Sequence, residues 1–130
     1  MPTLVVVDAA NVVGSVPNGW WRDRLGAARR LRNALARVPT DGLPGVAPPL
    51  EVVLVVEGAA ATLAGEEGAP AGITVVAAPP DGSGDDAIVA IVGRAADQPC
   101  VVVTADRGLA ERVSTHGAVV VGPRTVPYGR

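Results

Sequence analysis

Residues 4–11 read LVVVDAAN, in which four apolar residues are followed directly by an aspartate and, three positions later, by an asparagine. Four apolar residues are too few for a helix, and a short continuous apolar run is typical of a strand buried on both faces. Such strands belong to parallel sheets that helices cover. The stretch therefore indicates an α/β protein and places Asp8 at the carboxyl end of its first strand.

Four further runs of the same Val-rich kind follow along the chain. They lie at residues 52–56, 73–77, 101–103 and 118–121. Segments with helical periodicity separate several of the runs, and helical crossovers are what join the strands of a parallel sheet. We therefore predict a parallel sheet of about five strands.

Three segments have apolar residues at three- and four-residue spacing and are predicted to be helices. They are residues 21–38, 85–96 and 107–116. We expect Pro39 to end the first helix, Ser83 to cap the second and Gly117 to stop the third, with the arginines of the first helix facing away from its apolar stripe. Residues 40–49 and 58–72 are predicted to be loops, with room for a short helix near 59–63, and residues 122–130 to be irregular.

The composition sets limits on the class of protein. The 130 residues suit one domain over residues 1–130. The net charge of −2 does not favour a polyanionic partner, yet residues 20–38 hold six Arg and one Asp, a local charge of +5. The single Cys100 excludes an internal disulfide and a cysteine zinc site.

Because a signal peptide and a bilayer-length apolar run are both missing, we expect a cytoplasmic protein without membrane contact.

Acidic residues lie where the predicted strands end. Asp8 ends the first, Glu57 follows the second, Asp85 and Asp86 open the helix after the third, and Asp106 follows the fourth. The carboxyl ends of parallel strands share one edge of the sheet, where α/β proteins bind ligands. Crowded carboxylates raise each other's pKa unless a cation neutralises them, and Mg²⁺ and Mn²⁺ prefer oxygen ligands. A divalent ion there would support hydrolysis of a phosphodiester.

Each of these carboxylates also has a structural interpretation. Asp106 is a good N-cap, and Asp85 and Asp86 suit the positive end of a helix dipole. Convergence from four separate loops favours a functional interpretation over capping alone. If the first and fourth strands are neighbours, Asp8 and Asp106 approach each other.

Three motifs resemble the NYN domains, a branch of the PIN-like nuclease superfamily. Residues 4–14 resemble their opening strand, which ends in Asp with an Asn three positions on. Residues 84–88 resemble the acidic helix start after the third strand, and residues 101–109 the fourth-strand motif, in which Ser or Thr precedes a metal-binding Asp. The likeness spans nearly the whole chain and is strongest to the small bacterial NYN proteins that include a ribosome-associated endoribonuclease.

The resemblance implies a three-layer α/β/α, Rossmann-like PIN fold with strand order 3-2-1-4-5. It also implies Mg²⁺ or Mn²⁺ as cofactor and endonucleolytic hydrolysis of RNA. The implied metal ligands are Asp8, Asp85 and Asp106. Asn11 would orient Asp8 or contact a water at the metal, and Thr104 would support Asp106 through a hydrogen bond.

The chain departs from the family pattern at two positions. Glu57 stands where relatives often have Asp and is given a supporting role. Gly108 stands where many members have a second Asp after the fourth strand. Asp86 is the substitute carboxylate that we count among the catalytic residues, and the choice between one metal ion and two stays open.

Several basic and aromatic residues are candidates for RNA contact. Arg107 is placed to clamp a phosphate. Arg22 and Arg29 could follow a phosphate backbone, and Trp20 or Trp21 could stack on a base, although a solvated helix face and a core Trp explain the same pattern. RNA is the implied partner, while association with the ribosome and a homodimer stay open.

Two rival functions use the same residues. A nucleoside-triphosphate pyrophosphohydrolase or another phosphohydrolase would need the same carboxylates. A non-enzymatic module that binds RNA or protein through a degenerate site is favoured by Glu57 and Gly108. A dinucleotide-binding domain is set aside because no Gly-x-Gly-x-x-Gly motif follows the first strand.

Overall fold

The computed structural model describes residues 1–95 and 97–129. Its centre is a five-stranded parallel sheet in the order β3-β2-β1-β4-β5. The strands are β1 (Thr3–Asp8), β2 (Leu50–Val56), β3 (Ile73–Ala77), β4 (Cys100–Val103) and β5 (Val119–Val121). All five runs predicted to be strands are confirmed, and so are the strand order and the α/β class.

Strand β1 lies in the middle of the sheet because both of its faces are apolar. Val5 is in register with Val52 of β2 on one side and Val101 of β4 on the other. Successive side chains of a strand point to opposite faces. Accordingly, Val5 belongs to one hydrophobic cluster and Val6 to a second cluster across the sheet.

Helices cover both faces and complete the three layers. They are α1 (Ala9–Gly14), α2 (Arg24–Ala34), α3 (Val38–Asp41), α4 (Gly84–Arg94) and α5 (Arg107–Ser114). The first three pack with the larger cluster, and α4 and α5 pack with the smaller one through residues such as Ile88 and Leu109. Burial of each such side chain contributes roughly 1.5–3 kcal/mol, so the layers are held by small aliphatic contacts.

The prediction of one helix over residues 21–38 is wrong. Trp20–Arg22 form a separate 3-10 turn, and Asp23 starts α2 by accepting a hydrogen bond from the backbone N–H of Gly26 at 2.9 Å. This cap sets the residue at which α2 begins, and the spacing of apolar residues does not reveal it. Arg22 consequently lies outside α2.

Two details of that segment also need correction. Pro39 does not end a helix but lies in the first turn of α3, where its missing N–H costs nothing. Arg32 does not face solvent, because it is only 5% exposed, and its Nε donates to Asn33. The long aliphatic stem of Arg allows this burial.

Other segments differ from the predictions in smaller ways. The α1 helix was missed, since it is only six residues long and begins directly after β1. Gly58–Gly65, predicted as a loop with a short helix, form a 3-10 helix that buries Leu63. In the irregular tail, Pro123–Thr125 form a 3-10 turn and Tyr128 is buried. Two predicted segments include Ala96 and Arg130, which lie outside the described residues.

The predicted helix caps on the other face are confirmed. The Ser83 hydroxyl accepts from the backbone N–H of Asp86 at 3.1 Å and so caps α4. Gly117 has a φ of +84°, the left-handed conformation that a helix end favours, although α5 already ends at Ser114. None of the helices in the described part of the chain has the length and apolar character needed to cross a bilayer.

Candidate functional site

The predicted acidic residues follow the carboxyl ends of neighbouring strands. Because β1 pairs with β2 on one side and β4 on the other, Asp8 lies between Glu57 and the loop that carries Asp106. Helix α4 brings Asp85 to the same edge, since the preceding residue, Gly84, donates its backbone N–H to Glu57. The strand order thus assembles residues that are up to about a hundred positions apart in sequence.

Asp8 is the most buried of these carboxylates, with 8% of its surface exposed. It caps α1, and its Oδ1 accepts from the backbone N–H of Asn11 at 3.3 Å. Burial raises the pKa of Asp8, hydrogen bonds from Thr104 and Asn11 lower it, and the nearby Asp85 and Glu57 raise it further. The protein therefore holds this carboxyl where its charge is poorly solvated.

Thr104 links the two aspartates that follow neighbouring strands. Its hydroxyl, on a side chain that is 2% exposed, donates to Oδ2 of Asp8 at 3.0 Å and accepts from the backbone N–H of Asp106 at 3.1 Å. The Asp106 carboxylate turns to its own helix, where Oδ1 accepts from the N–H of Leu109 at 2.9 Å. The predicted hydrogen bond between Thr104 and Asp106 therefore involves the backbone of Asp106 and not its carboxylate.

Asn11 ties the α1 segment to the loop after β4. Its Oδ1 accepts from the backbone N–H of Ala105 at 2.8 Å, a contact between residues 94 positions apart. Its own backbone N–H meets Asp8. Asn11 thus orients Asp8 from one side and holds the Asp106 loop from the other, which explains why an amide at this position suits the fold.

Glu57 reaches across the strand ends to the start of α4. Its Oε2 accepts a short hydrogen bond from the backbone N–H of Gly84, and a Cβ atom at Gly84 would collide with this carboxylate. A side chain at position 84 would therefore make the exposed Glu57 carboxylate move aside. The longer side chain, noted as a departure from the family pattern, extends toward α4.

Asp85 follows at the next position of α4 and is half-buried. Burial raises its pKa, and Asp106, Glu57 and Asp86 raise it as well, while Arg112 lowers it. The surroundings thus favour the protonated forms of Asp8 and Asp85. Carboxyl groups with a raised pKa are common in functional sites.

The other predicted site residues are placed less centrally. Asp86 is exposed and pairs with Arg112 at 2.9 Å, a hydrogen bond that lowers the pKa of Asp86. Arg29 forms a two-point ion pair with Glu66, with one distance of 2.6 Å. Arg107, at the start of α5, is exposed.

Aromatic and cationic side chains stack beside the site. Arg22 lies over the ring of Trp21 at 5.8 Å, and Arg24 lies over the ring of Trp20 at 5.2 Å. Trp21 is 55% exposed, whereas Trp20 is half-buried and packs against the larger core cluster. Arg24 was not among the predicted RNA contacts, and no spacing in the sequence distinguishes it from the other arginines of α2.

The donor set has the chemistry that a hard cation requires. All of the candidate ligands offer carboxylate oxygens, and burial and mutual repulsion disfavour the charged forms of Asp8 and Asp85. Across residues 1–95 and 97–129, no group of three or more His, Cys, Asp or Glu side chains is placed to hold a metal ion. Mg²⁺ often takes one or two carboxylates and keeps its waters, so the residues present fit an ion of this class.

Cavities lie beside the loops that follow β2 and β4. One of about 400 Å³ is lined by Trp20, Arg24, Glu57 and Ser83, among others. A second of about 710 Å³ lies on the side of Ala105 and includes Arg124 and Tyr128 in its lining. Sequence reasoning missed both, because each is lined by residues from segments that are distant along the chain.

Two solved structures are similar to this chain over nearly its whole length. The crystal structure of a mutant of Rae1 (YacP) from Bacillus subtilis matches with a TM-score of 0.73 and 16% identity, covering 96% of this chain and 72% of Rae1. A second crystal structure of Rae1 (YacP) from Bacillus subtilis matches with a TM-score of 0.70 and 15% identity, covering 94% and 70%. No family model and no curated protein sequence matches the chain. The chain therefore has the fold of Rae1, a three-layer α/β/α architecture whose sheet has the strand order 3-2-1-4-5 in this protein.

Proposed function

We propose that this protein is a metal-dependent endoribonuclease. The observation that carries the proposal is the buried carboxyl of Asp8. Burial raises the pKa of this carboxyl, and repulsion by the negative charges of Asp85 and Glu57 raises it further. An arrangement that makes carboxylates hard to ionise costs stability unless a ligand uses them. A doubly charged cation is the ligand that best matches this demand.

Each residue of the site has a defined part in the proposal. Asp8, Asp85 and Asp106 would hold Mg²⁺ or Mn²⁺. Asn11 and Thr104 position the loops that carry these carboxylates, as their hydrogen bonds to Ala105 and to Asp8 indicate. When bound, the ion would supply positive charge for a phosphate oxygen and acidify a water, the two needs of phosphodiester hydrolysis.

RNA as the substrate rests on the motif resemblance to NYN domains and on exposed cations. Arg107 directly follows Asp106, and Arg22, in the segment before α2, lies over the exposed ring of Trp21. Positive charge and stacking surfaces of this kind suit single-stranded RNA. Association with the ribosome follows from the same resemblance, and co-sedimentation of the protein with ribosomes would test it.

Cleavage of a labelled single-stranded RNA tests the proposal. We expect cleavage with Mg²⁺ or Mn²⁺ and none with EDTA, and we expect Asp8→Asn and Asp106→Asn to reduce the rate at least about 100-fold, as loss of a catalytic group commonly does. Asp97→Asn is the matched control, because this exposed residue precedes β4 at the opposite edge of the sheet. Unchanged cleavage by both site variants would refute the proposal, and hydrolysis of free nucleoside triphosphates instead of RNA would favour a pyrophosphohydrolase.

One observation favours a second candidate, an RNA-binding module without catalysis. Glu57 and Asp106 are already bound to backbone N–H groups, and Asp86 is paired with Arg112. These contacts leave fewer carboxylate oxygens for an ion. Titration calorimetry with Mn²⁺ separates the two functions, because the module should release no binding heat at millimolar Mn²⁺ while still binding RNA.

A further inference from the structure

The cavity of about 400 Å³ beside Glu57 has the size of a small-ligand pocket. Its lining includes Ala9, the residue after Asp8, and Ser83, which caps the helix that carries Asp85. The cavity therefore lies beside the carboxylate edge. A nucleotide held there would be joined through its backbone to a phosphate near Asp8.

One wall of this cavity is formed by a stacked cation and ring. Trp20 and Arg24 both line it, and the Arg24 guanidinium lies 5.2 Å from the centre of the Trp20 ring. Trp20 packs against the core and makes a T-shaped contact with Trp21, with 6.0 Å between the ring centres, and these contacts hold its ring in place. Flat aromatic and guanidinium surfaces are those on which unpaired bases stack.

The lining of the cavity also includes a carboxylate that can accept hydrogen bonds. Glu57 lines the cavity, and the bond from Gly84 engages its Oε2. Its other oxygen can still accept, and an ionised carboxylate cannot donate. Such a group pairs with an amino group on a base edge and disfavours a carbonyl at the same place.

We propose that this cavity is a base-binding subsite for single-stranded RNA and that it prefers bases with an exocyclic amino group over uracil. The base would stack against the pair formed by Trp20 and Arg24 and would donate its amino group to Glu57. The inference rests on the RNA substrate of the proposed function and adds sequence preference at the nucleotide beside the cleavage site.

Binding is measured in EDTA, so that no cleavage is required. In a Trp21→Phe background, Trp20 is the only remaining indole, and stacking of a base should quench its fluorescence during titration with the oligonucleotide rC4. We expect Arg24→Ala to weaken binding about tenfold, within the range for loss of one stacking partner. Arg30→Ala is the matched control, because it removes an equal charge from an exposed position of α2 outside the cavity lining.

Base preference is measured by comparing rC4 with rU4 in the same background. Cytosine carries an amino group where uracil carries a carbonyl, so we expect about tenfold tighter binding of rC4. Glu57→Gln should remove most of this preference, because an amide can both donate and accept. Glu57 is exposed, and its replacement should leave the folded state intact.

The outcomes separate this inference from the nuclease proposal. Quenching that prefers rC4, together with no RNA cleavage in Mg²⁺ or Mn²⁺, would retain the subsite and refute the nuclease. Cleavage in which Arg24→Ala leaves KM unchanged, with equal binding of rC4 and rU4, would refute the subsite and retain the nuclease. Equal effects of Arg24→Ala and Arg30→Ala would also refute it, since only general charge would then matter.

Discussion

Replacement of Thr104 by Val should expose how strongly the two strand-end aspartates are coupled. Val has nearly the same shape but no hydroxyl, so the variant loses the bond to Asp8 at 3.0 Å and the bond from the Asp106 N–H at 3.1 Å. A hydrogen bond to a charged group is worth about 1.5–3 kcal/mol and one between neutral groups about 1 kcal/mol. Because Asp106 is an exposed residue, its part-buried backbone N–H can be hydrated in the variant, and we expect a total loss of about 2–3 kcal/mol.

Urea unfolding and thermal melts at neutral pH measure this loss. For a chain of this size the melting temperature should fall by roughly 3 °C per kcal/mol, or about 6–9 °C. The loss should shrink at low pH. The Thr104 hydroxyl lowers the pKa of Asp8, so in the variant Asp8 keeps its proton to a higher pH. At low pH Asp8 is protonated in both proteins, and the loss of a hydrogen-bond donor then costs less stability.

Thr104→Ser is the control, because it keeps the hydroxyl and loses one methyl group, at a cost of about 1 kcal/mol. If Thr104→Val is as stable as Thr104→Ser at neutral pH, the hydroxyl does not bridge the two loops. A loss for Thr104→Val that is the same at low and neutral pH would instead show that Asp8 is not the charged partner.

Three further predictions concern single side chains. Gly84→Ala should change stability by less than about 1 kcal/mol, since an exposed Glu57 can move aside, but it should reduce cleavage by displacing that carboxylate; full activity would show that Glu57 has no part in the site. Asp8→Asn should stabilise the metal-free protein increasingly as pH rises. The folded-state pKa of Asp8 lies above its unfolded value, so the wild-type protein loses stability only as this carboxyl ionises. Thermal melts at acid and neutral pH that show no such trend would contradict the raised pKa. Arg29→Ala should cause a small loss that fades at high salt and as pH falls through the lowered pKa of Glu66; a loss insensitive to both would mean that packing, not the ion pair, was removed.

Predictions from the sequence succeed for the sheet and fail for local helix geometry. The Val-rich runs can be stable only as doubly covered strands, so residues 4–7 identified β1 without any structure. In contrast, the periodicity of residues 21–38 suggested one helix, although the cap formed by Asp23 divides it. Capping depends on a few hydrogen bonds of about 1 kcal/mol each, which apolar spacing does not record.

The same division holds for the candidate site. Acidic side chains can be located at the strand ends from the residue order alone, and they share one edge because all strands are parallel. The contacts of Thr104 with Asp8 and the Asp106 backbone, of Glu57 with Gly84 and of Asp86 with Arg112 required the folded chain. Apolar patterns act within a few residues of the chain, whereas these hydrogen bonds depend on distances between segments that only packing brings together.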